Sequence, residues 1–236
     1  MNTIKTATIA ACFSVTAQHL IEKLITSGTR VVAFGRIGDE ARAKSLEDKY
    51  SGHLTVLLGD LTDEEQSQAL AAKASEILGH IDAHFHCSGI YTWSRWTDVE
   101  VSKMSDLWNA NFMTAFVFGR EVFKLMESQG SGSLMFVSAR DTARNIPAGF
   151  GPYMASKMAL NALVESLAAE GASSNVQVNA VLPTVVDTEV NRQALPDADH
   201  STWVDPADLA ELMMELTQPN KTYLSGSLIT VNNKMH

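Results

Sequence analysis

Short apolar runs alternate along the chain with longer stretches in which apolar residues recur every three or four positions. Residues 6–11 form the first apolar run, which predicts a buried strand. Residues 15–27 follow with a helical stripe of leucine and isoleucine, and Gly28 stands where that helix would end. The same alternation of strand and helix continues toward the carboxyl terminus.

Six further apolar runs predict strands at residues 30–34, 54–58, 81–87, 133–138, 176–181 and 227–231. Helices are predicted at 41–49, at 62–78 behind a capping box that begins at Thr62, at 104–126, from Pro152 onward, and from Pro206 onward with Asp205 as N-cap. Strands that are apolar throughout are typical of a parallel sheet covered by helices on both faces. The sequence therefore predicts an α/β fold, a Rossmann-like doubly wound parallel sheet of about seven strands, in a single domain over residues 1–236.

Composition and charge exclude several classes of partner. The chain has 236 residues and a net charge of −9, which argues against nucleic acid and against an anionic membrane surface. No apolar run approaches the roughly 20 residues that span a bilayer. Cys12 and Cys87 are too few for a disulfide framework, and the histidines show no ligand spacing, so we expect a cytoplasmic protein without a metal. Residues 5–17 offer a signal-peptide alternative, which polar residues at 8, 14 and 16 disfavour.

In a doubly wound sheet the ligand lies beyond the carboxyl ends of the strands. The segments that follow the predicted strands are residues 12–16, 35–39, 60–61, 88–92, 139–151 and 183–203. The last two are long and contain proline or glycine, so we expect a substrate-covering loop at 183–204. Five aromatic residues of these segments either stack a flat substrate or serve as packing and subunit contacts; they are Tyr91, Trp93, Trp96, Phe150 and Trp203.

Tyr153 and Lys157 are four residues apart in a stretch rich in good helix formers, so their side chains share one helical face. An ammonium beside a phenol favours the phenolate, which predicts a lowered pKa for Tyr153. Such a pair can give or take a proton at a carbonyl or alcohol oxygen. The alternative is an ordinary pair of residues on a solvated helix.

A set of short motifs occurs in a fixed order along these elements: Gly35-Arg36, Asp60-Leu61-Thr62, Ser88-Gly89, Asn111, Tyr153 with Lys157, and Asn179-Ala180-Val181-Leu182-Pro183 with Asp187-Thr188. With these motifs the chain resembles the short-chain dehydrogenase/reductase family from end to end. Its final third, from Ala180 onward, is similar to dihydropteridine reductase. The resemblance implies a hydride transfer between a nicotinamide cofactor and a carbonyl or alcohol.

The resemblance also assigns roles to residues. Tyr153 would be the acid/base, Lys157 would lower its pKa and hold the cofactor ribose, and Asn111 would support a proton-relay water. Arg36 would suit a 2′-phosphate, because a guanidinium matches phosphate oxygens, which favours NADP(H) over NAD(H). The implied cofactor-binding set is Ala11, Ser14, Val15, Thr16, Arg36, Asp60, Leu61, Ser88, Gly89, Tyr153, Lys157, Pro183, Val186 and Thr188.

The chain departs from the family pattern in three places. The glycine-rich turn T-G-x-x-x-G-x-G is replaced by residues 10–17, which contain no glycine. Ala11 is compatible with the first glycine position if its φ is negative, whereas Val15 fills space that the pyrophosphate needs. The family pattern N-N-A-G is replaced by His86-Cys87-Ser88-Gly89. We interpret His86 as a packed polar residue. The reactive serine aligns with Ala139 more naturally than with Ser138, which stays the candidate hydroxyl.

Two functions follow. The first is an NADP(H)-dependent oxidoreductase that reduces a carbonyl or imine of a small aromatic or cyclic substrate, or runs the reverse oxidation. The second is a degenerate relative without a dinucleotide, acting as a dehydratase, isomerase or cyclase, or as a non-catalytic binding or assembly subunit. The resemblance implies self-association to a dimer or tetramer through the fourth and fifth helices. We expect the aromatic residues of the long fourth helix to serve as core and oligomer contacts; they are Trp108, Phe112, Phe116 and Phe118.

Overall fold

Seven parallel strands form one sheet in the computed structural model, which describes residues 3–143 and 146–233. Positions 144 and 145 of the predicted segment 139–151 lie outside those ranges. The strand order is β3-β2-β1-β4-β5-β6-β7. The strands are β1 (Thr6–Ala10), β2 (Arg30–Gly35), β3 (Leu54–Leu58), β4 (Ala83–His86), β5 (Gly132–Val137), β6 (Val176–Pro183) and β7 (Leu228–Val231). The predicted fold class is confirmed.

Helices cover both faces of the sheet. They are α1 (Val15–Thr26), α2 (Glu40–Lys49), α3 (Glu64–Leu78), α4 (Val101–Trp108), α5 (Arg120–Gln129), α6 (Gly151–Gly171), α7 (Glu189–Ala194) and α8 (Pro206–Leu216). One buried cluster joins the sheet to α3, α5 and α6. A second cluster joins the opposite face to α1 and α8. Within the described ranges, no helix is both long and apolar enough to cross a membrane.

Caps explain where several helices begin. The Asp205 carboxylate accepts a hydrogen bond from the Ala207 N–H at 2.7 Å, which confirms the predicted cap of α8. The cap of α3 was placed one residue too early. Asp63, rather than Thr62, accepts from the Gln66 N–H at 2.8 Å, since the Thr62 hydroxyl donates to Asp60 instead.

The helix predicted at residues 104–126 is longer and less regular than expected. It runs from the start of α4 to the end of α5, and two π-helical turns, Asn109–Met113 and Ala115–Gly119, join the two α-helical parts. π-Turns are rare and are often found at functional sites. The segment after β6 contains α7, and its role as a cover for the substrate stays a prediction.

The strand order reverses direction between β1 and β4. Chain segments leaving these two strands cross to opposite halves of the sheet, which opens a crevice at their carboxyl ends. The side chains that follow β1, β2, β3 and β4 therefore converge at one edge of the sheet.

Candidate active site

A cavity of about 830 Å³ lies at this edge. Four of the predicted loop segments contribute to its wall, and the π-turn after α4 closes it from the other side. Its lining residues include Phe13, Ser14, Arg36, Asp39, Arg42, Asp60, Leu61, Ser88, Gly89, Asn109, Ala110 and Thr114. The sequence had indicated the loops but not the π-turn, since nothing in its pattern distinguishes a π-turn from an ordinary helical turn.

The turn after β1 keeps a left-handed residue although it lacks glycine. Ala11 has φ +58°, so the condition of a negative φ, under which alanine suits the first glycine position, is not met. The Ser14 N–H donates to the Ala11 carbonyl at 3.0 Å, and this short bond closes the turn and fixes the angle. An alanine in this region costs about 1–2 kcal/mol relative to its usual conformations. The chain therefore follows the path that a glycine permits, at some cost in stability.

The start of α1 presents unpaired donors. Ser14 is the N-cap, and its hydroxyl accepts from the Ala17 N–H at 3.3 Å. The N–H groups of Val15 and Thr16 find no acceptor among the described residues. Free N–H groups at a helix start attract a phosphate. The Val15 side chain is 40% exposed and is not part of the cavity wall.

Replacing Ala11 with glycine is expected to raise the free energy of unfolding by about 0.5–1 kcal/mol, because relief of the left-handed strain outweighs the entropy cost of glycine. Urea unfolding measures the change. Ala10→Gly is the matched control: Ala10 is fully buried and its φ is not positive, so glycine there should destabilise. Equal destabilisation by both substitutions would contradict the strain at Ala11.

Two guanidinium groups lie near the end of β2. Arg36 and Arg42 both line the cavity. The Arg42 guanidinium lies 4.2 Å from the centre of the Phe13 ring and pairs with Asp39 at 3.0 Å. A Cβ at Gly35 would come within 2.6 Å of the Phe13 ring, so glycine is needed for this ring to pack there. The sequence analysis found Arg36 but missed Arg42, which lies inside α2.

Lys157 is buried beside the end of β5. Its Nζ donates to the Val137 carbonyl at 2.8 Å, and burial lowers the pKa of this ammonium to about 8. A Cβ at Gly89 would lie 3.0 Å from Nζ and 2.9 Å from Asn111 Oδ1. Glycine at position 89 therefore lets the main chain pass close to both side chains.

The pKa of Tyr153 differs from the prediction. Burial raises it above the ordinary value, and the nearby Tyr91 and Asp141 raise it further. The expected lowering by Lys157 is wrong for the protein alone, because that ammonium is directed at Val137 and is itself desolvated. Tyr153 therefore holds its proton firmly at neutral pH.

Asn111 lies in the first π-turn and is fully buried. Its side chain accepts from the Ile90 N–H at 2.8 Å and donates to the Ile90 carbonyl at 3.0 Å. The same amide donates to Ser156 Oγ at 2.9 Å, and Ser156 in turn donates to the Tyr153 carbonyl at 2.7 Å. Asn111 thus ties the segment after β4 to the first turn of α6.

The candidate hydroxyl at position 138 is bonded to main chain. Ser138 is buried, and its Oγ donates to the Lys157 carbonyl at 3.4 Å rather than to Tyr153. The next residue, Ala139, is buried and has no hydroxyl. The side chain of Ser138 therefore contacts α6, and its assignment as the candidate catalytic hydroxyl stays a prediction.

One aromatic ring contacts Tyr153, and a second ring packs against the first. The Tyr91 ring meets the Tyr153 ring edge-on with centroids 5.2 Å apart, and it meets Phe150 at 5.7 Å. Trp93 and Trp96 are 59% and 72% exposed. Trp203 differs, since it is buried and packs on His200 at 4.3 Å. Four of the five predicted aromatic residues therefore keep surface for a ligand.

His86 belongs to a buried chain of hydrogen bonds, as its interpretation as a packed polar residue predicts. Thr8 contacts His84 at 2.9 Å, His84 contacts His86 at 3.3 Å, and His86 contacts Thr114 at 3.1 Å. Burial lowers the pKa of both imidazoles, that of His84 to about 3, so both stay neutral. Neither imidazole can serve as an acid at neutral pH.

The remaining predicted residues occupy the ends of β3, β4 and β6. The Asp60 carboxylate accepts from the Thr62 N–H and hydroxyl at 2.8 and 2.7 Å, and the Ser88 hydroxyl donates to the Ala110 carbonyl at 3.0 Å. Pro183 ends β6, Val186 pairs with Val204 in a short bridge, and Thr188 caps α7. Leu61 is buried at the cavity wall.

Comparison with known proteins agrees with this geometry. The model of the family described as short chain dehydrogenase matches residues 5–199. An uncharacterized oxidoreductase of Staphylococcus haemolyticus is 26% identical over 81% of this chain and 82% of its own, and an acetoacetyl-CoA reductase of Acinetobacter is 24% identical over 100% and 99%. A gluconate 5-dehydrogenase from Burkholderia cenocepacia, solved in complex with NADP and tartrate, superimposes with a TM-score of 0.87 at 20% identity over 98% and 94% of the chains. The chain belongs to the short-chain dehydrogenase family.

Proposed function

We propose that this protein reduces a carbonyl or imine on a small aromatic or cyclic substrate with NADPH. The observation that carries the proposal is Tyr153, a phenol that stays protonated beside the Tyr91 ring, one helical turn before the buried ammonium of Lys157 in α6. The cavity suits a dinucleotide, since Ser14 at the start of α1 and Gly89 both line it, and the adjacent N–H groups of Val15 and Thr16, which find no acceptor among the described residues, can bind a phosphate.

The raised pKa of Tyr153 keeps the phenol in the protonated state that a reduction requires. A general acid must carry its proton before the reaction, and burial keeps the phenol in that state. A bound reduced nicotinamide supplies the hydride. Tyr153 supplies the proton to the substrate oxygen or nitrogen, and the ammonium of Lys157 stabilises the phenolate that remains.

The preference for NADP(H) rests on Arg36 and Arg42 near the end of β2. Replacing Arg36 with alanine is expected to weaken NADPH binding about 10-fold to 100-fold, since a charge-assisted hydrogen bond contributes about 1.5–3 kcal/mol. NADH, which has no 2′-phosphate, should bind with an affinity changed less than about twofold. Isothermal titration measures both constants. Arg95→Ala, at an exposed residue that does not line the cavity, is the control.

Equal weakening of NADPH and NADH by Arg36→Ala would contradict this preference. The gluconate 5-dehydrogenase with a similar fold was solved with NADP, which supports the choice of cofactor without deciding it.

We also propose that the protein self-associates through the outer face of α4 and its π-turns. The Trp108 ring meets the Phe112 ring at a tilt with centroids 4.8 Å apart, and the Phe112 ring stacks on Phe116 at 5.8 Å. Trp108 and Phe116 are 37% and 39% exposed. Phe118 points the other way, into the core against Phe34. A stripe of stacked exposed rings is typical of an interface. Sedimentation velocity on the intact protein checks this, and a monomer at micromolar concentration would contradict it.

A further inference from the structure

Position 139 is a buried alanine, so it has no hydroxyl that could hydrogen-bond a substrate oxygen beside Tyr153. We propose that the Tyr91 phenol donates this hydrogen bond, beside the proton donor Tyr153. This inference rests on the proposed function. It adds a catalytic group that lies in a different segment of the chain from position 139.

The position of Tyr91 suits this role. Its ring stands nearly perpendicular to the Tyr153 ring, at 88°, with a centroid separation of 5.2 Å. Phe150 packs against the same ring at 5.7 Å. Contacts with two rings restrict the orientation of the phenol, and Tyr91 keeps part of its surface exposed to a ligand. A donor held before the substrate binds costs little reorganisation during the reaction.

The main chain before Tyr91 is fixed at two points. The Asn111 amide bonds both to the N–H and to the carbonyl of Ile90, at 2.8 and 3.0 Å. Asn111 can reach Ile90 from the π-turn because Gly89 has no side chain in the way. The contacts of Asn111 therefore make it a positioning residue for Tyr91.

The protonation state of Tyr91 also fits a donor. Burial raises the pKa of its phenol, so the group keeps its hydrogen across the neutral range. In the proposed step the carbonyl carbon gains a hydride, with its electron pair, from the reduced nicotinamide, and the oxygen gains a proton from Tyr153. Tyr91 only donates a hydrogen bond to that oxygen and ends the step unchanged, so the charges and atoms balance.

The test removes the hydroxyl of Tyr91 and then introduces a hydroxyl at position 139. Tyr91→Phe keeps the ring contacts with Tyr153 and Phe150, and it is expected to lower kcat with NADPH and a planar aromatic ketone or ortho-quinone about 10-fold to 100-fold. The Kd for NADPH should stay within about twofold, since the ring is not part of the cavity wall. Adding Ala139→Ser to Tyr91→Phe should recover part of the lost kcat. Tyr223→Phe, at a residue 78% exposed, is the matched control.

Recovery by Ala139→Ser separates a donor from a packing residue, because a new hydroxyl at position 139 cannot repair lost packing at position 91. A kcat within about twofold of the unmodified protein in Tyr91→Phe, or a lost kcat that Ala139→Ser does not improve, would overturn the role of Tyr91. If Tyr153→Phe also keeps full turnover, the proposed function itself fails. If Tyr153→Phe is inactive while Tyr91→Phe is active, only the role of Tyr91 fails.

A binding measurement tests the role of Tyr91 if the protein reduces none of these carbonyl compounds. The anion 4-nitrophenolate presents one charged oxygen to the two phenols, and its absorbance reports binding in the presence of NADP. Two donors should hold it about 10-fold more tightly than one. Equal affinity in the unmodified protein and in Tyr91→Phe would overturn the proposal, and weaker affinity in the variant supports it.

Discussion

Replacing Tyr153 with phenylalanine is expected to lower kcat for NADPH-dependent reduction by about 10³-fold, the usual contribution of a positioned general acid. The substitution removes one oxygen and keeps the ring, so the contact with Tyr91 is retained. Loss of NADPH absorbance in the presence of an aromatic ketone or quinone measures the rate. The Kd for NADPH should change by less than about fivefold, since the phenol acts mainly on the substrate.

Two controls make the result specific. Tyr223→Phe removes the same oxygen from an exposed residue and should leave kcat unchanged. The melting temperature of Tyr153→Phe should match that of the unmodified protein, because the Tyr153 hydroxyl has no hydrogen-bond partner among the described residues. Retained turnover in Tyr153→Phe would show that another group provides the proton.

Replacing Lys157 with methionine is expected to lower kcat by about 10²-fold, because the variant has no ammonium to stabilise the phenolate left on Tyr153. The reductive rate of the unmodified protein should fall as the pH rises through about 8, where Lys157 loses its proton. That decline should be absent in Lys157→Met, whose rate is low at every pH. A pH profile of kcat for both proteins measures the difference, and the same decline in Lys157→Met would contradict the assignment.

The same substitution should not reduce stability at neutral pH. Burial lowers the pKa of Lys157 in the folded protein to about 8, below the 10.5 of an unperturbed lysine. The unfolded chain therefore binds more protons between these values, and the contribution of Lys157 to the free energy of unfolding rises with pH across this window. Below about pH 8 the buried ammonium lowers the free energy of unfolding. Methionine has no charge to bury, although it also lacks the hydrogen bond to the Val137 carbonyl.

Thermal unfolding at two pH values measures this effect. We expect Lys157→Met to be at least as stable as the unmodified protein at pH 7, with a smaller advantage near pH 10. Lys44→Met, at an exposed residue, is the control for the change of side chain. A large loss of stability in Lys157→Met at pH 7 would show that the bond to Val137 outweighs the burial of the charge.

Much of the fold was predictable because the strands are short apolar runs with helical stripes between them. Strand β3 was predicted at its observed ends, and α1 to within one residue. The π-turns around Asn111 were not predictable, since they depend on tertiary contacts. The Ser88 hydroxyl, from the segment after β4, donates to the Ala110 carbonyl of the first π-turn at 3.0 Å, and the same carbonyl accepts a local bond from the Thr114 hydroxyl.

The candidate site was predicted less completely than the fold. The sequence identified Tyr153 and Lys157 from their spacing, but it could not show that the ammonium is directed at Val137. The pKa of Tyr153 was therefore predicted in the wrong direction. The sequence also could not give the angle at Ala11. It indicated only that alanine suits this position if φ is negative, whereas the turn closed by the Ser14 to Ala11 bond has a positive φ there.

The turn after β1 decides between a redox enzyme and a relative without a cofactor. Its three lost glycines favour the second function, whereas the left-handed Ala11 and the free N–H groups at Val15 and Thr16 favour the first. If the Val15 side chain blocks the pyrophosphate, the protein should have a low affinity for a dinucleotide. That affinity can be measured without knowing the substrate.

The most direct measurement is a titration of the purified protein with NADPH and with NADH, followed by calorimetry. We predict a micromolar Kd for NADPH and weaker binding of NADH. Such a result would show that the glycine-free turn accepts a dinucleotide. It would also support the selection of the 2′-phosphate by Arg36 and Arg42 near the end of β2. No binding at millimolar concentrations of either cofactor would contradict a reductase and would favour a protein that uses Tyr153 and Lys157 without redox chemistry.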